Sequence, residues 1–173
     1  VLFQPCVSLD DERVISAEAF VRWRHPSFGL MAPGLFLDFV EAQGRMADLT
    51  AFVVREAARA VKAWALAGRE WRVSVNAATS DLTNGVLPHL IERILADVGI
   101  EASRLVIEAP EGGVAAEPGR SLQTLHDIRA MGCGVALDSG GGLPLDDAEV
   151  DGCPFTEIKI GGSAIIRFAA FVQ

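Results

Sequence analysis

A chain of 173 residues is long enough for one domain with a substantial core, and half of it is apolar, which excludes a disordered protein. Its 23 acidic residues against 15 basic ones give a formal charge of −8, which excludes the basic face that DNA or RNA binding needs. Three cysteines (Cys6, Cys133, Cys153) without any CxxC fit a reducing compartment and no structural zinc, and no apolar run approaches the roughly 18 residues of a membrane span. The segment is therefore expected to be cytoplasmic, with no membrane contact of its own, although an anchor outside this sequence could tether it.

Residues 2–9 (LFQPCVSL) predict a strand, followed by an acidic turn at Asp10-Asp11-Glu12. Residues 13–23 (RVISAEAFVRW) predict a second strand, because β-branched and aromatic residues alternate with others, and the short turn makes the two an antiparallel hairpin. Pro33 opens a helix, GLFLDFVEAQ, that stops at Gly44. A longer helix runs from about 47 to 67. Leu49, Phe52, Val53, Ala57, Ala60, Val61 and Trp64 recur on it at three- and four-residue steps, so that face should meet the core. Strands then alternate with helices: strand 71–76, helix 87–98, strand 104–108, helix 121–131, and strands 133–138 and 155–160. Such alternation implies an α/β fold with parallel pairing, since each return of the chain needs a crossover.

The apolar strands deliver Asn76, Glu108, Asp138 and Lys159 at or next to their C-terminal ends, about one βα unit apart. Ligands of parallel α/β folds bind at that end. Oxygen-bearing side chains converging there suit a hard divalent cation. Glu18 and Arg22 lie four apart on the expected second strand, hence on one face, where a Glu–Arg pair is costly unless paired or serving a ligand. Each residue has a plainer reading alone. Asn or Asp at a strand end often caps the next helix, Lys159 reads as a solvated lysine, and Glu18 with Arg22 reads as a structural ion pair. The full set in register on successive strands is what points to a site.

The stretches FQP (3–5), AEAFVRWRHP (17–26), RVSVNAATSDL (72–82), RLVIEAPEG (104–112), VALDSGGG (135–142) and EIKI (157–160) resemble the EAL domains of bacterial cyclic di-GMP signalling. The name-giving triplet reads Glu18-Ala19-Phe20, with Phe in place of Leu. The resemblance implies a (β/α)8 TIM-barrel-like fold with an antiparallel first strand, occupying 1–173 as a single domain. It also implies a site that uses two Mg2+ or Mn2+ ions to open cyclic di-GMP to linear pGpG; two ions can activate water and neutralise developing charge. Carried over residue by residue, Glu18, Asn76, Glu108 and Asp138 match metal ligands, and Lys159 matches the lysine near the attacking water. Gln4 and Arg22 match ligand-contacting positions, and Glu111 matches a glutamate that steadies the loop after the bridging aspartates.

The departures fall on that chemistry. The family's second consecutive Asp is Ser139 here, followed by Gly140-Gly141-Gly142-Leu143-Pro144. A neutral hydroxyl is a poor substitute for a carboxylate in holding a second hard cation. Glu108-Ala109-Pro110-Glu111 keeps both carboxylates of its motif but stiffens the backbone between them, and Gly161 stands where the family has Asp. The family's later Glu and Gln have no counterpart before Gln173, so the barrel is expected to be incomplete at its C-terminal end, with the apolar residues 164–172 needing cover. The resemblance thus implies a degenerate EAL domain, a catalytically impaired cyclic di-GMP receptor or scaffolding module with its metal site lost or reduced to one ion. Its partners would be cyclic di-GMP, a second copy of itself or another signalling protein. The alternative is an active Mg2+-dependent phosphodiesterase.

Overall fold

The computed structural model describes residues 1–139 and 152–161. Strand β1 (Leu2–Val7) pairs antiparallel with β2 (Val14–Phe20), Gln4 lying opposite Glu18. The expected hairpin is there, but its second strand ends at Phe20. Trp23–His25 (β3) leaves the sheet and pairs with Gly29–Met31 (β4) in a separate hairpin. Aromatic contacts of Trp23 with His25 and Phe36 hold that excursion, and the His25 Nδ1 accepts backbone N–H bonds from Ser27 and Phe28. The alternation through Val21 and Trp23 therefore reports a second hairpin, and a two-residue period no longer links Glu18 to Arg22.

The helix expected after Pro33 is split into a 3₁₀ turn (Pro33–Leu35) and α1 (Leu37–Ala42), with buried Phe36 at the joint. α2 (Met46–Leu66) follows, and its core face carries Val53, Val54, Ala57, Ala58 and Val61. Phe52, expected on that face, is instead half exposed. The remaining order is β5 (Arg72–Asn76), α3 (Thr79–Thr83), α4 (Leu87–Val98), β6 (Leu105–Pro110), α5 (Glu111–Ala116), α6 (Pro118–Ala130), β7 (Gly134–Ser139) and β8 (Glu157–Ile160). The short helices α3 and α5 lack the apolar period that marks α4, so no sequence pattern announces them.

The other strands form one six-stranded sheet, β1-β2-β5-β6-β7-β8, parallel from β2 onward. Its convex face is apolar: Val73, Val75, Leu105, Ile107, Val135 and Leu137 pack with Val54, Val61, Ile91, Ile94, Leu125 and Ile128 of α2, α4 and α6. Burying each such side chain contributes about 1.5–3 kcal/mol. Gly134 is required where β7 meets β6, since a Cβ there would lie 2.9 Å from Val106 Cγ2. The concave face is polar. Glu18, Arg72, Ser74, Asn76, Glu108, Asp138, Glu157 and Lys159 alternate with the apolar positions. Parallel strands buried on both faces are usually apolar throughout, so this alternation marks the concave face as a working surface. Among the described residues no helix is long and apolar enough to cross a membrane.

Candidate functional site

Four strand spacings separate β2 from β8, roughly 19 Å in a flat sheet. Yet Lys159 Nζ donates to Glu18 Oε2 at 2.7 Å, so the sheet is curled and the side chain spans its hollow. The same ammonium contacts Glu108, and Asn76 Nδ2 donates to the other Glu18 oxygen at 2.9 Å. Glu108 is 1% exposed. Burial pushes its carboxyl above the ordinary range, and its bonds to Lys159 and Ser74 draw it part of the way back. Burial alone would lower the Lys159 ammonium, but Glu108 and Glu18 outweigh that and hold it above its ordinary value. The result is a cluster in which one cation serves two carboxylates.

Asp138 is the register partner of Lys159 and lies one layer above Glu108, whose own partner on β7 is Ala136. It is exposed, and with Glu18 and Asn76 it lines a cavity of about 390 Å³ roofed by Pro33, Leu37 and Met46. Gln4 faces Glu18 across the first hairpin and is exposed. Arg22 lies beyond the end of β2, off the strand on which it was expected to share a face with Glu18. Its Nη1 donates to the Val21 carbonyl at 2.8 Å and its guanidinium lies 5.4 Å from the centre of the Phe20 ring. It lines a separate cleft of about 700 Å³ with Trp23, Phe39 and Phe52, adjoining the first across Val21 and Leu49. Glu111 opens α5, and Ser139 Oγ donates to its Oε2 at 3.0 Å. The position of the missing carboxylate is thus turned toward Glu111. The glycine run 140–142 with Leu143 and Pro144, and the tail 164–172, lie outside the described residues.

Glu18 and Glu108 already hold a monovalent cation, the Lys159 ammonium, with Asn76 alongside, so this trio has the donor chemistry for one hard divalent ion. The described residues do not by themselves make up a two-ion centre. Among the described residues no three acidic, histidine or cysteine side chains gather around one point, and Ser139 brings no carboxylate.

Sequence reasoning missed three participants. Ser74 hydrogen-bonds Glu108 from the layer below Asn76, and Arg72 forms an ion pair with Glu157 at 2.7 Å. The polar alternation Arg72-Val-Ser-Val-Asn76 carried the signal for both. Asp81, buried at the start of α3, accepts from Thr50 Oγ1 at 2.6 Å and from the Ala78 N–H. That contact ties α3 to α2 beneath the cavity, and no local pattern announces it.

The profile of the EAL domain matches residues 1–171. The chain is 34% identical over 167 residues to protein Rv1357c of Mycobacterium tuberculosis, covering 95% of this chain and 54% of that one. It is 33% identical over 160 residues to the cyclic di-GMP phosphodiesterase NbdA of Pseudomonas aeruginosa, covering 86% of this chain and 20% of that one. The fold matches the structure of the MucR phosphodiesterase in its c-di-GMP complex with a TM-score of 0.88 at 29% identity, covering 96% of this chain and 68% of that one. The FimX EAL domain of Pseudomonas aeruginosa bound to c-di-GMP shares the fold at a TM-score of 0.81 and 20% identity, covering 94% and 65%. The chain therefore spans about half the length of its mycobacterial relative and a fifth of NbdA. The curled sheet with its antiparallel first strand is part of the TIM-barrel-like fold of these proteins. With a profile match along nearly its whole length, the chain belongs to the EAL domain family.

Proposed function

We propose that residues 1–173 act as a single cyclic di-GMP-binding EAL domain with impaired hydrolysis, a receptor or scaffold that passes nucleotide occupancy to a protein partner or to a second copy of the chain in the cytoplasm. The observation that carries this reading is Ser139. It stands where a carboxylate belongs and spends its hydroxyl on Glu111, while the Glu18–Lys159–Glu108 cluster remains assembled. Glu18, Asn76 and Glu108 are the residues that would hold one Mg2+ or Mn2+ ion, and such an ion supplies positive charge beside a phosphodiester. Lys159 adds an ammonium to the same place, Asp138 lines the mouth of the cavity, and Gln4 and Arg22 flank it from the first hairpin and the adjoining cleft. These groups can bind and orient a cyclic dinucleotide. They lack the second anionic ligand that would fix a second ion close to the first.

The alternative, an active phosphodiesterase, draws on the intact Lys159–Glu18 pairing and on relatives such as NbdA. Calorimetric titration of cyclic di-GMP in Mg2+ buffer, paired with a chromatographic assay for pGpG, separates the two. Micromolar or tighter binding, about −8 kcal/mol, with turnover more than tenfold below an intact family enzyme supports the receptor. Turnover within tenfold overturns it in favour of the enzyme. No binding by the folded chain leaves only the scaffold.

A further inference from the structure

Lys159 stands among more carboxylates than it can serve. Glu18 and Glu108 hold its ammonium, and Asp138 is its register partner on β7. Glu157 lies two residues back on β8, on the same concave face, roughly 7 Å away along the strand. A freed Glu157 carboxylate would be within easy reach of a lysine side chain. It is not free: Arg72 Nη1, on β5, donates to Glu157 Oε1 at 2.7 Å across two intervening strands.

β8 has few other ties among the described residues. Among the described residues it pairs with β7 alone, and its outward Ile158 and Ile160 are more than half exposed. Thr156 anchors its entry by exchanging hydrogen bonds with Val135. The Arg72–Glu157 bridge is therefore a second chord across the hollow, one layer below the Lys159–Glu18 chord.

We propose that Arg72 is a positioning residue for the strand-end cluster: by holding Glu157 it keeps that carboxylate from capturing Lys159, and so leaves the ammonium to Glu18 and Glu108. Among the described residues the guanidinium of Arg72 bonds Glu157, which is not among the residues assigned to the ligand. It acts through Glu157, and what it protects is the choice of partner made by Lys159. The inference depends on the receptor reading only for its consequence, since ligand binding needs Lys159 in place, and the test does not involve nucleotide.

The sequence contains two lysines, Lys62 and Lys159. Side-chain 15N ammonium signals of the full 173-residue chain are thus simple to assign, with Lys62, bonded to the Val98 carbonyl, as internal reference. In the unaltered protein the Lys159 signal should be protected from solvent exchange. Arg72→Gln should shift it and speed exchange at least fivefold, because the freed Glu157 competes. Glu157→Gln should leave it within twofold, having removed bridge and competitor together. The double variant Arg72→Gln/Glu157→Gln should restore it to within twofold as well. A purely structural bridge gives a different pattern: both single variants and the double would all lose protection, and that result overturns the proposal. An unchanged Lys159 signal in Arg72→Gln also overturns it. Should Arg72→Gln fail to fold while the double variant folds with a protected Lys159, the competition is again demonstrated. If neither folds, Arg72 is a stability residue and the proposal fails.

Discussion

Replacing Lys159 by Met keeps most of the length of the side chain and removes the cation that Glu18 and Glu108 share. Glu108, 1% exposed, then loses its counter-ion. Removing one partner of a buried pair typically costs about 3–5 kcal/mol, but a carboxylate has a way out: it can take up a proton. From its ordinary value of 4.5, protonation at pH 7 costs about 3.4 kcal/mol, at 1.36 kcal/mol per pH unit, and this sets a ceiling on the loss from Glu108. At pH 5.5 the same ceiling falls to about 1.4 kcal/mol. Lys159→Met should therefore be destabilised by about 3 kcal/mol at pH 7 and by less than half of that at pH 5.5. Urea unfolding in EDTA, followed by tryptophan fluorescence, measures both. Adding Mg2+ at pH 7 should return part of the loss to the variant while changing the parent less, because a divalent ion can replace the missing ammonium between Glu18 and Glu108. A variant as stable as the parent at pH 7, or a loss that does not shrink on acidification, would refute this account of the cluster.

Three further outcomes follow from particular contacts. Burial raises the Asp81 carboxyl above its ordinary value, with Thr50 and Ala78 only partly offsetting this. A raised folded value means that its contribution to stability is fullest below the unfolded value and is lost as pH rises through the folded one. The parent should thus gain stability relative to Asp81→Asn as pH falls from 7 toward 4, and a difference that stays flat in pH-dependent urea unfolding would contradict it. Gly134→Ala puts a methyl 2.9 Å from Val106 Cγ2 and should cost about 1–3 kcal/mol by overpacking, read as a lower thermal midpoint. Ser139→Ala removes the hydroxyl donated to Glu111 and should cost about 1 kcal/mol in urea unfolding. It should leave cyclic di-GMP affinity within threefold by calorimetry, because Ser139 holds the loop side of the site and not the ligand.

The alternating pattern from residue 71 onward was legible because each strand there is an apolar run closed by a polar residue, and each crossover helix has a clear period. That made Asn76, Glu108, Asp138 and Lys159 visible as strand-end positions. The first hairpin misled at one point. Val21 and Trp23 continue the alternation of β2, but the aromatic packing of Trp23 on Phe36 draws them out of the sheet. A contact between positions 23 and 36 leaves no trace in a two-residue period, so the period carried Arg22 onto a strand that ends at Phe20. Phe52 failed similarly: its helical phase fits the core, yet the cleft beside α1 leaves it half exposed. The Arg72–Glu157 and Thr50–Asp81 contacts join residues 85 and 31 positions apart. Only the curl of the sheet and the docking of α3 bring them together.

On the proposed receptor reading, binding and hydrolysis place different demands on this sheet. Holding a cyclic dinucleotide calls for a concave polar face with cations near its mouth, and that face is fixed by β-sheet register and by chords such as Lys159–Glu18. Hydrolysis adds a demand for two hard cations held close together, which only extra anionic ligands can meet. The first property is spread over five parallel strands and many contacts. The second turns on single side chains, and position 139 is one of them. With Ser139 engaged by Glu111, the end of β7 is anchored to α5 without a carboxylate at position 139. A substitution that removed charge and anchoring together would have loosened the mouth of the site. Serine carries no charge and keeps an anchor, the arrangement that the proposed receptor reading calls for at this position.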